Sequence, residues 1–354
     1  MSEKVLMKGN EALAEAAIQA GCRHFFGYPI TPQTELAAYM SKKMPKIGGT
    51  YLQAESEIAA INMVLGAASA GVRAMTSSSS PGISLKTEGI SYLAGSDVPA
   101  LIINVQRGGP GLGGIQPSQA DYWQATKATG HGDFQILVFA PSTVQEMVDL
   151  VSCAFDLGDK YRMPAMILAD GMLGQMMEPV SIPSGEGKQL PEKPWAVSGH
   201  QGKRPHNVVN SLFLQPQNLE ELVKERFARY EQIKKTEQRA EEYLTEDADI
   251  VLVAYGASSR VARSAVNAAR SQGIKAGLIR PITLWPFPTD AISRAAGTAQ
   301  HFLCVEMSMG QMVDDVRLTV NGAKPVAFYG RTGGIIPTPA EILNEIQKLA
   351  GGAR

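Results

Sequence analysis

The sequence predicts a layered α/β protein made of two such units in series. Three observations carry that reading. Short apolar runs, "VRAMTSSSS", "PALIINVQ", "FQILVFA" and "PAMILAD", end in polar or glycine-rich loops, as buried parallel strands do. Amphipathic stretches of helical period lie between them. After a stretch rich in Gly, Pro and Lys, the same alternation begins again at residue 247.

The elements follow in order. "GNEALAEAAIQAG" reads as a helix with Asn10 as its cap and a closing glycine. "HFFGYP" is a short strand. "TPQTELAAYMSKK" is a helix with Thr31 capping and Pro32 at its first position. "ESEIAAINMVLGAASAG" is a helix ending at Gly71, and "STVQEMVDLVSCAFDLGDKY" is another. Residues 186–217 lack periodicity and read as a connector. "QNLEELVKERFARYEQIKKTEQRAEEYL" then predicts one long charged helix, with Leu219, Leu222, Phe227, Tyr230 and Ile233 at helical spacing. In the second unit, "ADIVLVAYGASS" is strand and glycine turn and "RVARSAVNAARSQG" is a helix. "IKAGLIRPITLWPFP" is a strand running into a proline-rich loop. "AQHFLCVEMSMGQM" and "KPVAFYGRTGG" supply further strands, and "PTPAEILNEIQKLA" is the closing helix.

Composition excludes several classes. The 354 residues are 44% hydrophobic and 19% charged, with a net charge of -1. No basic face is implied, so no nucleic-acid partner is expected. No apolar stretch approaches the ~20 residues that span a bilayer, so no membrane association is expected. The N-terminus has no signal-peptide core, and the expected location is cytoplasmic. Cys22, Cys153 and Cys304 are far apart and form no C-x-x-C, which predicts buried thiols and no iron–sulfur cluster on this chain. The five histidines form no i,i+4 pair, and no metal site is expected.

Three stretches could carry chemistry. "RGGPGLGG", residues 107–114, fits the dinucleotide template G-x-G-x-x-G through Gly109, Gly111 and Gly114. That template requires a helix opening within the motif to receive a pyrophosphate, whereas Pro117 and a polar run intervene here. A stand-alone nicotinamide enzyme using the 109–114 loop is therefore the alternative reading. The favoured one centres on Arg107, a planar fork for a carboxylate at the end of a buried strand, with a surface ion pair as its competitor. In "GYPITP", Thr31 either caps the next helix or faces the same crevice. In "AESEIAAINMVLGAASAG", Glu55 and Glu57 open an apolar helix, where acids also complement the helix dipole. The small residues after Glu57 would let that helix lie close to another surface. The methionines of "GMLGQMM" and "EMSMGQM" read either as ordinary core or as adaptable packing around an apolar ligand.

Glu57 followed by Ala60 and then Gly66–Ala67 is similar to the pyrimidine-binding half of thiamine-diphosphate enzymes. More specifically, "GYPITPQTE", "QAESEIAAINMVLGAASAGVRAMTSSSSPGISLKTEGISYLAG", "NVQRGGPGLGGIQPSQADYWQATKATGHGD", "LIRPITLWPFP" and "VEMSMGQM" resemble the alpha subunit of 2-oxoacid:ferredoxin oxidoreductases. The resemblance runs from about residue 5 to 345 and is weakest over 186–217. Within the family it is nearest the type acting on 3-methyl-2-oxobutanoate, with the 2-oxoglutarate type as neighbour.

The resemblance implies a pyrimidine-binding α/β domain at 1–185 and a connector with the long charged helix at 186–246. A transketolase C-terminal-like α/β domain then follows at 247–354. It implies that Glu57 is the catalytic, cofactor-contacting acid, in competition with Glu55. It also implies that Thr31 and Arg107 bind substrate. The G-D-G…N cradle of thiamine enzymes is absent: "ADGM" offers only Asp170 and Gly171, and no asparagine follows until Asn207. The diphosphate and Mg²⁺ are thus expected on a beta subunit that shares thiamine diphosphate with this chain. Fe–S clusters are expected on that subunit or on a ferredoxin-like one, with a gamma subunit as a further partner. Coenzyme A is the implied co-substrate and ferredoxin the electron acceptor. A structural scaffold subunit is the remaining reading.

Overall fold

The protein is described by a computed structural model over residues 4–127, 129–187 and 189–351. Up to residue 180 the chain runs β1 (Val5–Lys8), α1 (Gly9–Gln19), β2 (His24–Gly27) and α2 (Thr34–Lys43), then a 3-10 turn at Met44–Ile47 and β3 (Thr50–Gln53). It continues α3 (Glu57–Ser69), β4 (Ala74–Ser78), α4 (Ser80–Gly95), β5 (Leu101–Gln106), α5 (Tyr122–Thr126) and β6 (Leu137–Phe139). Next come α6 (Val144–Tyr161), β7 (Ala165–Asp170), α7 (Gly171–Gln175) and β8 (Met177–Val180). After the connector lie α8 (Pro216–Thr236), β9 (Ala240–Tyr243), β10 (Ile250–Val253), α9 (Gly256–Ser271), β11 (Ala276–Pro281) and β12 (Thr283–Trp285). The chain ends with α10 (Thr289–Ala296), β13 (His301–Glu306), α11 (Met312–Val320), β14 (Val326–Gly330) and α12 (Pro339–Gly351).

Two sheets organise these elements. The larger has the order β12-β6-β7-β5-β4-β2-β3, parallel except for β12, and the smaller has the order β14-β13-β10-β11-β9. Strands β4, β5 and β7 are buried along their whole length. That explains why they read as continuous apolar runs. A ribbon of β1 and β8 stands apart from both sheets.

The structure differs from the sequence expectations at several points. The helix predicted over 217–244 stops at Thr236, and Ala240–Tyr243 is instead an edge strand antiparallel to β11. Its glutamates meet arginines across that edge: Glu241 bonds Arg280, and Glu242 bonds Arg294. The strand run expected over "IKAGLIRPITLWPFP" is two strands. The second, β12, leaves its own unit and pairs with β6 of the first sheet. Where the sequence predicted no element, "SPGISLKTEGISYLAG" (Ser80–Gly95) forms a 16-residue helix despite its serines and glycines. Asn10 is not a cap: α1 begins at Gly9, and the Asn10 amide is buried, donating to Pro32 O at 2.7 Å and Glu35 Oε2 at 2.9 Å.

A continuous apolar core spans both units, from Leu13 and Ile102 through Tyr230 and Trp285 to Ile279 and Met312. Polar staples fix the seam. Arg280 of β11 donates to both oxygens of Glu146 on α6, at 2.6 and 3.0 Å. Gln119, fully buried, plugs into the carboxyl end of the second sheet. Its amide donates to Tyr255 O at 2.8 Å, and its Oε1 accepts from Ser258 Oγ at 2.9 Å and from Met307 N at 3.0 Å. The facing loop 307–312 is itself built on Glu306. This fully buried carboxylate accepts from the backbone N–H groups of Gln311, Met312 and Val313 at the start of α11.

Replacing Gln119 by Ala strands those partners without water. The Gln119→Ala variant should lose about 1–3 kcal/mol of stability. Thermal denaturation would register this as a fall of several degrees, and an unchanged melting temperature would show that the seam does not depend on this side chain.

Candidate functional site

The residues singled out from the sequence leave the first sheet at the carboxyl ends of neighbouring strands. Thr31 follows β2, Glu57 follows β3, Ser79 and Ser80 follow β4, and Arg107 follows β5 directly. The chain steps from β2 outward to β3, then returns to β4 on the other side of β2. Helix α2 lies with α1 and α6 on one face, and α4 lies with α3 on the other. The connections diverge between β2 and β4, which opens the crevice where ligands of such sheets bind.

Glu57 is the first residue of α3, capped by Ser56, whose Oγ accepts from Ala59 N at 3.2 Å. The carboxylate is 7% exposed and accepts no hydrogen bond among the described residues. Glu55, two residues earlier, is exposed in the loop. Glu57 rests over the first turn of α4. A Cβ at Gly82 would fall 2.8 Å from Glu57 Oε1 and 2.1 Å from Ser78 Oγ. The hydroxyls of Ser78 and Ser79 are also buried and unpartnered. Residues 78–82 thus line a small polar hollow whose hydrogen-bonding capacity is unspent.

Arg107 sits at the other side of the same helical turn. Ser80 Oγ accepts from Arg107 N at 3.0 Å and donates to Asp121 Oδ2 at 2.6 Å. Asp121 also accepts from Asn104 Nδ2 at 2.9 Å. Burial pushes the Asp121 carboxyl up, while those bonds from Ser80 and Asn104 oppose the rise. The Arg107 guanidinium donates to Thr31 O and to Leu112 O, both at 3.0 Å. Its Nε is buried without a partner. The side chain is only 7% exposed, and no carboxylate pairs with it among the described residues. A buried cation lacking a counter-charge is costly unless an anion joins it. The surface-ion-pair reading therefore has no support in the geometry.

Thr31 and Arg107 are brought into direct contact, and α4 links them to Glu57. Thr31 does not cap α2, which starts at Thr34 with Gln33 as N-cap. The chain makes a further turn first, because the buried Gln33 side chain is drawn inward to accept from Ser77 Oγ at 2.6 Å. The small residues of α3 divide: Ala60 and Ala68 are fully buried, while Gly66 faces open space. Close approach occurs instead at Gly82 and at Gly89, whose missing Cβ would sit 2.4 Å from Ile61. The loop after Arg107 folds back on itself, with Gly108 N bonding Gln116 O at 2.9 Å and Gly114 N bonding Gly108 O at 2.8 Å. No helix opens within it, so the dinucleotide reading loses its anion-binding terminus. Gly113, at φ 58°, has Gly108 O where a Cβ would stand. Leu112, at the tip, is 84% exposed.

The sequence reading passed over Gly82, Ser80, Asp121 and Lys86. For Lys86 a signal existed: it lies in one helical stripe with the buried Ile83 and Ile90, where a solvated lysine would be out of place. Ser80 and Asp121 carry no local signature. Beside Thr31 a cavity of about 580 Å³ is lined by Pro32, Ile115, Met172, Met176 and Ile336. No charged side chain lines it among the described residues. Met172 and Met176 of "GMLGQMM" thus border the crevice, while Met307 and Met312 of "EMSMGQM" are core.

A thiamine pyrimidine fits the Glu57 hollow, because a largely buried carboxylate and two hydroxyls without partners among the described residues match a ring that offers N–H groups. A Mg²⁺–diphosphate cradle does not fit Asp170. Its Oδ1 caps α7 through Met172 N and Leu173 N, and its Oδ2 accepts from Ala257 N of the second unit. Burial pushes that carboxyl up to about 6 against those three bonds. No group of three or more His, Cys, Asp or Glu converges as a metal site among the described residues. The three thiols are free, with Cys22 and Cys304 buried and Cys153 half-buried. Among the described residues no helix is long and apolar enough to cross a membrane.

Comparison with known proteins gives the family. Residues 15–245 match the family "Pyruvate flavodoxin/ferredoxin oxidoreductase, thiamine diP-bdg", and residues 248–342 match "Pyruvate:ferredoxin oxidoreductase core domain II". The ketoisovalerate oxidoreductase subunit VorB of Methanothermobacter thermautotrophicus is 50% identical over 98% of this chain and 98% of its own. The 2-oxoglutarate synthase subunit KorA of the same organism is 38% identical over 99% of this chain and 100% of its own. The solved 2-oxoglutarate:ferredoxin oxidoreductase from Magnetococcus marinus, with 2-oxoglutarate, coenzyme A and succinyl-CoA bound, superposes with a TM-score of 0.88 at 28% identity. The match covers 98% of this chain, which spans 65% of that one. A split-gene transketolase shares the fold, at a TM-score of 0.61 and 14% identity. With both units matched and half of its residues shared with relatives of equal length, the chain belongs to the thiamine-diphosphate-binding family of pyruvate flavodoxin/ferredoxin oxidoreductases.

Proposed function

We propose that this chain is the alpha-type subunit of a 2-oxoacid:ferredoxin oxidoreductase that converts 3-methyl-2-oxobutanoate and coenzyme A to acyl-CoA and CO₂, with electrons passing to ferredoxin. The observation that carries the reading is that two largely buried groups with no counter-ion among the described residues, the Glu57 carboxylate and the Arg107 guanidinium, lie on either side of one helical turn. Thiamine diphosphate, when bound, supplies the carbanion chemistry that cleaves a 2-oxoacid. Glu57 accepts a hydrogen bond from the pyrimidine ring and holds the ring's orientation. Arg107 takes the substrate carboxylate on its free edge, with the Thr31 loop closing the same side. Because that carboxylate leaves as CO₂, Arg107 acts in binding and orienting the group, and its hold relaxes as the charge is lost.

The half-pocket is incomplete without partners. A beta subunit carrying the diphosphate and Mg²⁺ completes it, and Fe–S clusters on that subunit or on a ferredoxin-like one carry the electrons. The Asp170 geometry supports this division, since its oxygens are committed to backbone N–H groups. The choice of oxoacid rests on the apolar cavity beside Thr31. A branched aliphatic chain buries well against Met172, Met176 and Ile336. The distal carboxylate of 2-oxoglutarate would be buried there without a counter-charge.

Co-expression with the partner subunits, followed by turnover of a 2-oxoacid panel with an artificial electron acceptor, tests the reading. The expected result is a higher kcat/KM for 3-methyl-2-oxobutanoate than for 2-oxoglutarate. The reverse order would assign the chain to the 2-oxoglutarate type. In the same complex Arg107→Ala should lower kcat/KM by roughly 10- to 150-fold, the loss of one charge-assisted pair of about 1.5–3 kcal/mol. An unchanged value would remove Arg107 from substrate binding. Glu57→Gln should leave folding and assembly intact while turnover falls about 10²- to 10⁴-fold. Full activity would move the role away from this helix.

A further inference from the structure

Beneath Glu57 lies an ionisable side chain with no assigned task. Lys86 is on α4, one helical turn beyond Gly82 and on the same face. It is fully buried, and its amine donates a single bond, to Thr76 Oγ1 of β4, at 2.8 Å. No carboxylate stands within ion-pair distance of it among the described residues. The charge that acts on it is Glu57, across the packed helices α3 and α4.

The other groups nearby are otherwise engaged or neutral. On β4 these are the Thr76 and Ser78 hydroxyls. On the β5 side, Asp121 is held by Ser80 and Asn104. On α4 itself, Glu88 accepts from Tyr92 OH at the surface. Burial pushes the Lys86 amine down to about 7, partly offset by the charge of Glu57. An aliphatic side chain would fill this space without the cost of burying an amine.

We propose that Lys86 is a positioning residue for Glu57, its amine or ammonium form deciding how fully the Glu57 carboxylate is available to the pyrimidine ring nitrogen. This rests on the reading of Glu57 given above. An ammonium at Lys86 competes with a protonated ring nitrogen for the one carboxylate between them. Once Lys86 discharges, that competition ends; Arg107, at the other side of the first turn of α4, is bonded to Thr31 O and Leu112 O. The two protonations therefore oppose each other, and removing the amine strengthens the ring's hold on its proton.

The test uses the assembled complex loaded with thiamine diphosphate. The circular-dichroism band of the bound iminopyrimidine is titrated against pH in wild type and in Lys86→Met. The Met variant should move the midpoint to higher pH by about one unit. The pH profile of kcat should move the same way, while KM for the oxoacid stays within about twofold. An unmoved midpoint in a folded, cofactor-bound variant overturns the proposal. Failure of thiamine diphosphate to bind the wild-type complex overturns instead the reading of the site.

Folding is checked separately. Lys86 binds protons more weakly in the folded chain, at about 7, than at its ordinary 10.5. The unfolded chain holds the extra proton between those values, so wild-type stability should rise with pH across that window. Lys86→Met should melt higher than wild type near neutrality, with the gap closing toward pH 10. Should that variant fail to assemble, Glu57→Gln with Lys86 intact reads the same coupling: removing the neighbouring charge should start the rise in melting temperature at lower pH. A stability profile unchanged by Glu57→Gln would overturn the proposal.

Discussion

The site depends on the absence of one methyl group, at residue 82. Glu57 and Ser78 occupy the volume that any side chain there would need. Because Gly82 is bare, α3 brings its first residue over the first turn of α4. That same turn carries Ser80, whose hydroxyl holds the backbone of Arg107. One helical turn thus sets the spacing of the acid and the guanidinium. A glycine in the first turn and another at 89 weaken the helix by about 1 kcal/mol each relative to alanine. The close contacts with Glu57 and Ile61 that these glycines permit explain why a stretch so poor in helix formers is helical at all.

Around that turn the chain holds polar groups buried with no partner: Arg107 Nε, Ser78 Oγ and Ser79 Oγ. Buried donors and acceptors of this kind cost about 1–3 kcal/mol each when unmet. Three of them meet at the divergence of β2 and β4; others, such as Asn104 Oδ1 and His301 Nδ1, lie on the strands themselves. On the function proposed above, a surface that keeps hydrogen bonds in reserve for an anion and a heterocycle is preorganised in the sense that lowers the reorganisation needed at the moment of reaction. The cost is borne by the two-unit core that surrounds it.

How much of this was legible follows from where each signal resides. Arg107 could be read because a charged residue ended a buried apolar run. Glu57 could be read because the pattern of small residues after it fixed its register, although one of them, Gly66, faces open space in this chain. Glu55 and Glu57 could not be separated by chemistry alone; burial separates them. Helix α4 was hidden because its tertiary contacts override its poor propensity. Strand β9 was hidden inside a helical charge pattern, since Glu241 and Glu242 serve an edge strand facing arginines as well as they would serve a helix face. Strand β12 is three residues between two prolines, and only its partner β6 makes it a strand. Asp121 and Gln119 are ordinary polar residues in a loop, and their roles arise entirely from distant partners.

Those two loop residues show why the second unit matters to the chemistry of the first. Asp121 steadies Ser80 and hence Arg107, while Gln119, two residues earlier, is locked into the second sheet by Tyr255, Ser258 and Met307. Met307 is presented by a loop whose shape is set by the buried Glu306 carboxylate on the start of α11. Polar contacts and the short chain segments between them therefore connect Glu306 to the backbone of Arg107. Among the described residues no carboxylate pins Arg107, so its orientation is set by carbonyls and by this loop. The first sheet provides the crevice; the second unit provides the rigidity that keeps an unpaired cation aimed into it.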